Sequence, residues 1–295
     1  MRIHHLNCIS TCPLGGRLMD GCAGPLLQRG HLTCHCLLLE LDTTLVLVDT
    51  GFGLRDVANP RGRLSAFFLG LVSPEFREEM TAIRQIERLG FDPRDVRHIV
   101  LTHLDFDHAG GLDDFPHATV HMLAAERDHA QAQKTWLDRQ RFRPQQWSYR
   151  DKWNVYPMSS GEQWFGFKRV RPLDGLPPDI AMVPLIGHTL GHAGVAVPRG
   201  DGWLLQAGDA YFFRDEMNID LPRCTPGLRF YQWMMEKDRS ARLRNQERLR
   251  DLCRTHGSEV LICCAHDILE FERLADREAG RPPERVRAGV IAGAA

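Results

Sequence analysis

Four side chains able to bind a cation or move a proton fall within six consecutive residues: His103, Asp105, Asp107 and His108, in His103-Leu104-Asp105-Phe106-Asp107-His108. Imidazole and carboxylate are the ligand types that zinc, iron and manganese take. In an extended strand, residues 103, 105 and 107 would share one face. A loop can instead fan them around two cations, and the Gly110-Gly111 pair that follows allows tight backbone passage. An acidic surface loop with incidental histidines is the competing reading, but the ordered pattern between an apolar run and a glycine pair argues against it.

Such a loop needs rigid support. Residues 98–102 form a short apolar strand that runs straight into it. Upstream, residues 37–39 and 45–48 read as two strands around a turn at 42–44, the second stopping at Asp49-Thr50-Gly51. Further strands are expected at 118–122, 164–171, 181–185, 194–197, 203–207 and 259–264, with helices near 124–133 and 236–256. Ser73-Pro74-Glu75 has the residues of a helix start, and Phe76, Met80, Ile83 and Leu89 recur at helical spacing until Gly90. A short helix is expected at Asp92-Pro93. This interleaving predicts an α/β layered architecture. Segments 52–72 and 134–157 read as insertions. The aromatics of the second, among them Trp136, Phe142, Trp147 and Tyr149, suit either an accessory core or subunit contact, or a substrate wall.

Composition narrows the classes. With 295 residues and 43% hydrophobic content the chain can bury a large core, as one domain or two fused halves. A formal charge of -1 gives no field toward nucleic acid or anionic lipid, so neither partner is expected. Residues 1–20 lack the apolar run of a signal peptide or membrane span, which makes a cytoplasmic location the default. Nine cysteines without paired Cys-x2-Cys spacing are expected to be reduced and mostly buried; Cys34 and Cys36 would share one sheet face.

The central segment resembles the H-x-H-x-D-H signature of the metallo-β-lactamase superfamily, with Asp105 where the second His usually stands. The family's other landmarks follow in order: Asp49-Thr50-Gly51, Gly187-His188-Thr189-Leu190-Gly191-His192, Gly208-Asp209 and Ala265-His266. The resemblance covers nearly the whole chain and implies a four-layer αββα sandwich, one domain over residues 1–295 with β-rich halves at roughly 1–170 and 171–280 and a short tail. It implies two divalent metal ions, the first held by His103, Asp105 and His188 and the second by Asp107, His108 and His266, with Asp209 bridging. A bridging carboxylate and hydroxide would offset the repulsion of cations about 3.5–4 Å apart. Zinc is the leading metal on family grounds; the hard oxygen of Asp105 also suits manganese or iron. Asp49 is expected to orient a ligand histidine, and His192 to have a supporting role.

In the mechanism this implies, a metal-bridging hydroxide attacks a carbonyl or phosphoryl centre, and Asp107 is the candidate proton shuttle. Among relatives the chain is most similar to quorum-quenching lactonases, which open N-acyl homoserine lactones and place a Tyr three residues after the bridging Asp. Here that position is Phe212, with Tyr211 one earlier, so Tyr211 is either a catalytic donor to the carbonyl oxygen or a packed aromatic. A small-molecule lactone leads as substrate. Other esters, thioesters, amides and small phosphoesters follow, then an iron-dependent oxidoreductase. A homodimer is compatible. The two insertions, with residues 211–213 and 230–235, are expected to line an apolar cleft over the metals.

Overall fold

Leu37, Leu38 and Leu39 are all apolar because their strand is covered on both sides. Leu37 and Leu39 join an inner core with Val46, Val48, Val100, Met182, Val195 and Leu204. Leu38 points the opposite way and packs with Leu47, Ile99, Ile86 and Trp147. Alternation with period two thus splits one apolar run between two cores.

The computed structural model describes residues 1–22, 25–200 and 202–278; the tail expected beyond 280 lies outside the described residues. The first half contains β1 (Arg2–Asn7), α1 (Arg17–Asp20), β2 (His35–Glu40), β3 (Leu45–Val48), α2 (Leu54–Ala58), α3 (Pro60–Arg63), α4 (Ala66–Val72), α5 (Ala82–Arg88), β4 (Val96–Val100), β5 (Thr119–Leu123), α6 (Ala124–Ala132), α7 (Trp136–Arg141) and β6 (Trp153–Tyr156). The second contains β7 (Glu162–Trp164), β8 (Phe167–Pro172), β9 (Ala181–Pro184), β10 (Ala193–Arg199), β11 (Gly202–Gln206), α8 (Pro226–Met235), α9 (Arg239–His256), β12 (Val260–Cys263) and α10 (Ile268–Glu278). The strands form two six-stranded sheets, ordered β1-β2-β3-β4-β5-β6 and β12-β11-β10-β9-β8-β7. α5 and α6 cover the outer face of the first sheet through Ile86 and Ala130, and α9 covers the second through Leu249 and Leu252. The result is the αββα sandwich. Along the chain the first sheet ends at Tyr156 and the second begins at Glu162.

Several elements differ from expectation. Ser73 does not start a helix; it ends α4 in the left-handed region at φ 41°, and the next α-helix begins only at Ala82. The single strand expected over 164–171 is a hairpin, broken where Phe165 and Gly166 turn with positive φ. The helix expected from residue 236 starts at Arg239, capped by Asp238, and α8 precedes it. All nine cysteines are free, with Cys34 and Cys36 buried. Among the described residues, no helix is long and apolar enough to cross a membrane.

Candidate metal centre

β3, β4 and β5 run parallel, as do β11 and β12, so their C-terminal ends gather along one edge of the sandwich. All seven expected ligands stand on loops leaving strands toward this edge. His103, Asp105, Asp107 and His108 follow β4, His188 follows β9, Asp209 follows β11 and His266 follows β12. Backbone hydrogen bonds stitch the halves together beside them: Ala193 N–H to the Thr102 carbonyl at 3.0 Å, and His35 N–H to the Ala265 carbonyl at 2.9 Å. After β4 the chain turns sharply, with the amides of His108 and Ala109 donating to the Asp105 carbonyl at 3.0 and 2.9 Å. Gly110 is required next, because a Cβ there would lie 2.4 Å from an Asp56 carboxylate oxygen and 2.7 Å from the Gly51 carbonyl.

The structure brings all seven side chains together, every one buried. Asp105 Oδ2 lies 3.3 Å from His103 Nε2 and 3.0 Å from His188 Nε2. Asp209 Oδ2 lies 3.2 Å from His188 Nε2 and 3.6 Å from His103 Nε2. Its other oxygen, Oδ1, lies 3.2 Å from His108 Nε2 and 3.1 Å from His266 Nε2. Asp107 Oδ2 is 3.9 Å from His266 Nε2. Ligand atoms about 2.0–2.2 Å from a tetrahedral ion stand about 3.3–3.6 Å apart, so the separations suit two cation positions sharing Asp209.

Hydrogen bonding supports that fit. His108 Nδ1 meets Asp49 Oδ2 at 2.8 Å, the contact expected of Asp49, and His266 Nδ1 meets the Thr33 carbonyl at 2.7 Å. His103 Nδ1 meets Thr102 Oγ1 at 2.9 Å, and that hydroxyl donates to Asp49. In each case the acceptor fixes the proton on Nδ1 and leaves the Nε2 lone pair facing the cluster. His103 Nε2, His108 Nε2 and Asp209 Oδ1 are buried without a hydrogen-bond partner among the described residues. Orphans of this kind cost about 1–3 kcal/mol each, which binding a divalent cation would relieve. His192 differs: its Nδ1 meets the Leu185 carbonyl, and its Nε2 accepts the Asp209 amide at 2.9 Å. Both nitrogens are used, so His192 positions Asp209 and has no lone pair left for an ion.

Tyr211 does not reach this site. Its hydroxyl donates to Glu270 at 3.1 Å, and its ring lies in the core beneath α9. The tight turn after Asp209 directs Phe212 toward the cluster instead, and the Phe212 ring stacks on His266 at 4.9 Å. Segment 134–157 is not a wall of the cleft either. Phe142 and Trp147 are core residues, as is Phe68 of the first insertion.

Four contributors were not named individually from sequence, although Arg141 and Tyr231 fall in the segments 134–157 and 230–235 expected to line the cleft. Arg141, at the end of α7, donates from Nε to Asp105 Oδ1 at 2.6 Å and from Nη2 to Asp105 Oδ2 at 2.5 Å. Burial opposes ionisation of Asp105, but Arg141 foremost among the neighbouring charges holds that carboxyl well below the usual range. Glu126 of α6 accepts from the Leu104 amide at 2.9 Å, from the Gly191 amide at 3.2 Å and from the Thr189 hydroxyl, tying two ligand loops together. The Cys34 sulfur clusters with Asp107 and His266, and burial first, then Asp107, keeps its thiol protonated. Tyr231 of α8 shares a cavity with Asp107 and His266, and its hydroxyl makes no hydrogen bond among the described residues. No residue spacing relates Arg141 or Tyr231 to the ligand motif; only tertiary packing does.

Facing sheets whose shared edge holds a buried cluster of imidazoles and carboxylates define an αββα metal-binding protein. The chain belongs to the metallo-beta-lactamase superfamily, whose family model matches residues 29–251. It is 41% identical over 267 residues to a probable metallo-hydrolase of Mycobacterium tuberculosis, covering 90% of this chain and 80% of that one. An N-acyl homoserine lactonase of Bacillus cereus is 34% identical over 193 residues, covering 65% of this chain and 69% of its own. An N-acyl homoserine lactone hydrolase solved with N-hexanoyl-L-homoserine at its catalytic metal center superposes with a TM-score of 0.66 at 20% identity, over 92% of this chain and 95% of that one.

Proposed function

We propose that this metal-dependent hydrolase opens a lactone bearing an acyl chain, such as an N-acyl homoserine lactone. In this reading His103, Asp105 and His188 hold one divalent cation, Asp107, His108 and His266 hold the other, and Asp209 bridges, with zinc as the metal. The observation that carries it is a cavity of about 270 Å³ that opens on Asp107 and His266 and is otherwise walled largely by Leu14, Met19, Leu32, Leu71, Val72 and Met234. An apolar pocket ending at carboxylate and imidazole suits a hydrocarbon tail with one polar head. The lactonases among the relatives support the same substrate class.

Two bound cations would supply the Lewis acidity that acidifies water and polarises the substrate carbonyl. The chain's own groups do the rest. Water adds its hydroxyl to the acyl carbon and the ring C–O bond breaks. Asp107, at the cavity floor, carries the water's proton to the departing alkoxide oxygen. Tyr231 donates to the carbonyl oxygen as negative charge develops there. Its phenol is a donor at neutral pH, because an ordinary tyrosine hydroxyl ionises only at about pH 10.

Metal analysis of purified protein followed by hydrolysis assays across lactones, thioesters, β-lactams and phosphodiesters tests the reading. Two zinc ions per chain and turnover of long-chain lactones are expected. Turnover confined to phosphodiesters, or iron with oxygen consumption, would overturn it.

A further inference from the structure

Arg63, Arg141 and Arg242 are all buried, but only Arg141 is sealed completely, at 0% exposed. Burying a guanidinium is strongly unfavourable unless a charge pairs with it and its donors are used. Here the planar fork grips both oxygens of Asp105, and Nη1 donates to the Met235 carbonyl at 2.6 Å. Nη2 also lies 2.7 Å from His188 Nε2, so this N–H and a cation would compete for the one lone pair of that nitrogen. The fork takes one lone pair from each Asp105 oxygen and fixes the carboxylate plane. A second lone pair on Oδ2 remains beside His103 and His188. Asp105 brings one negative charge to a position where an imidazole would bring none, and Arg141 removes it again. The cluster's three carboxylates, Asp105, Asp107 and Asp209, therefore count as two net charges.

We propose that Asp105 and Arg141 act as one neutral ligand unit at the first cation position: the carboxylate supplies the donor atom, and Arg141 is a positioning residue that cancels its charge and sets its plane. This rests on the two-cation reading of the site, not on the choice of substrate. The two residues are then inseparable. A histidine at position 105 would restore the family's usual signature, yet beside Arg141 it would strand a buried guanidinium among imidazoles and a divalent ion.

The test compares the full chain with D105H, R141M and D105H/R141M, each stripped by a chelator, reloaded with zinc, and read by zinc content and competition with a chromophoric chelator. Wild type is expected to hold two zinc ions. D105H should lose the first, its affinity falling about 100-fold, and D105H/R141M should regain it to within about tenfold of wild type. Equal first-site affinity in D105H and D105H/R141M would overturn the proposal. Circular dichroism of the stripped proteins identifies a variant that fails to fold. If D105H does not fold, the isosteric D105N and D105N/R141M carry the same comparison: adding R141M should strengthen first-site binding about tenfold, and no gain would overturn the unit. A wild type that loads one zinc would overturn the two-cation reading and this proposal together, whereas two zinc ions without coupling would overturn this proposal alone.

Discussion

Tyr211 and Tyr231 carry the same phenol and meet opposite surroundings. The first is spent on Glu270 inside the core, and the second faces the cavity with its hydroxyl unpartnered among the described residues. A hydroxyl already committed to a buried carboxylate cannot turn to a substrate without leaving that carboxylate unsatisfied. If Tyr231 supplies the donor to the developing oxyanion, Tyr231→Phe should lower kcat on the preferred lactone about 100-fold while KM changes only a few-fold. Tyr211→Phe should leave kcat within about threefold and cost about 1 kcal/mol of stability through the lost hydrogen bond. Steady-state kinetics with thermal unfolding separate the two, and a reversed pattern would return the catalytic role to Tyr211.

At the scale of elements, the site depends on how closely α6 approaches the loop carrying His188. A Cβ on Gly191 would sit 2.0 Å from the backbone nitrogen of Glu126, so helix and loop touch main chain to main chain. Gly191→Ala must push the loop off α6 and break the hydrogen bonds to Glu126, at a cost of about 1–3 kcal/mol, and His188 moves with it. Under the proposed two-cation reading, weaker retention of the first cation alongside a lower Tm is expected; full metal content with an unchanged Tm would show that the contact has slack. Such contacts explain what the sequence revealed and what it hid. Strands buried on both faces announce themselves as apolar runs, and each landmark at a strand end follows from one, so the ligand loops were legible. β1 was not, because its His4 and His5 pair with Glu40 and His35 instead of forming an apolar face. α8 was obscured because Phe230 and Trp233 are exposed while Gln232 is buried, the inverse of an amphipathic pattern. The Ser-Pro pair at 73–74 serves a helix end as well as a start, and the choice depends on the left-handed turn at Ser73. Which aromatic after Asp209 faces the cluster is set by a turn that residue types do not specify.

Across the whole molecule, each sheet supplies part of the proposed ligand set, and α10 provides a second tie between the halves. Leu274 of α10 packs with Ile3 of β1, while Glu270 accepts the Tyr211 hydroxyl and the Cys264 amide of the second half. Burial foremost, then Asp267, pushes the Glu270 carboxyl up to about 7. Below the usual glutamate range, near 4.5, the residue is neutral in both folded and unfolded chains and has no linkage effect. Between about 4.5 and 7 the unfolded chain releases a proton that the folded chain keeps, so stability falls as pH rises through this window. A shift of that size corresponds to about 3 kcal/mol as an upper figure. Glu270→Gln retains an acceptor for Cys264 and a donor for the Tyr211 oxygen but cannot ionise. The Tm of wild type should therefore drop relative to Glu270→Gln by several degrees between pH 5 and pH 8 at fixed zinc. Glu126, also raised to about 7 by burial, is present in both proteins and cancels from the difference. A Tm gap that stays constant across this range would mean that Glu270 ionises in the folded protein as readily as in the unfolded chain, and that the tie between α10 and the second half is wet.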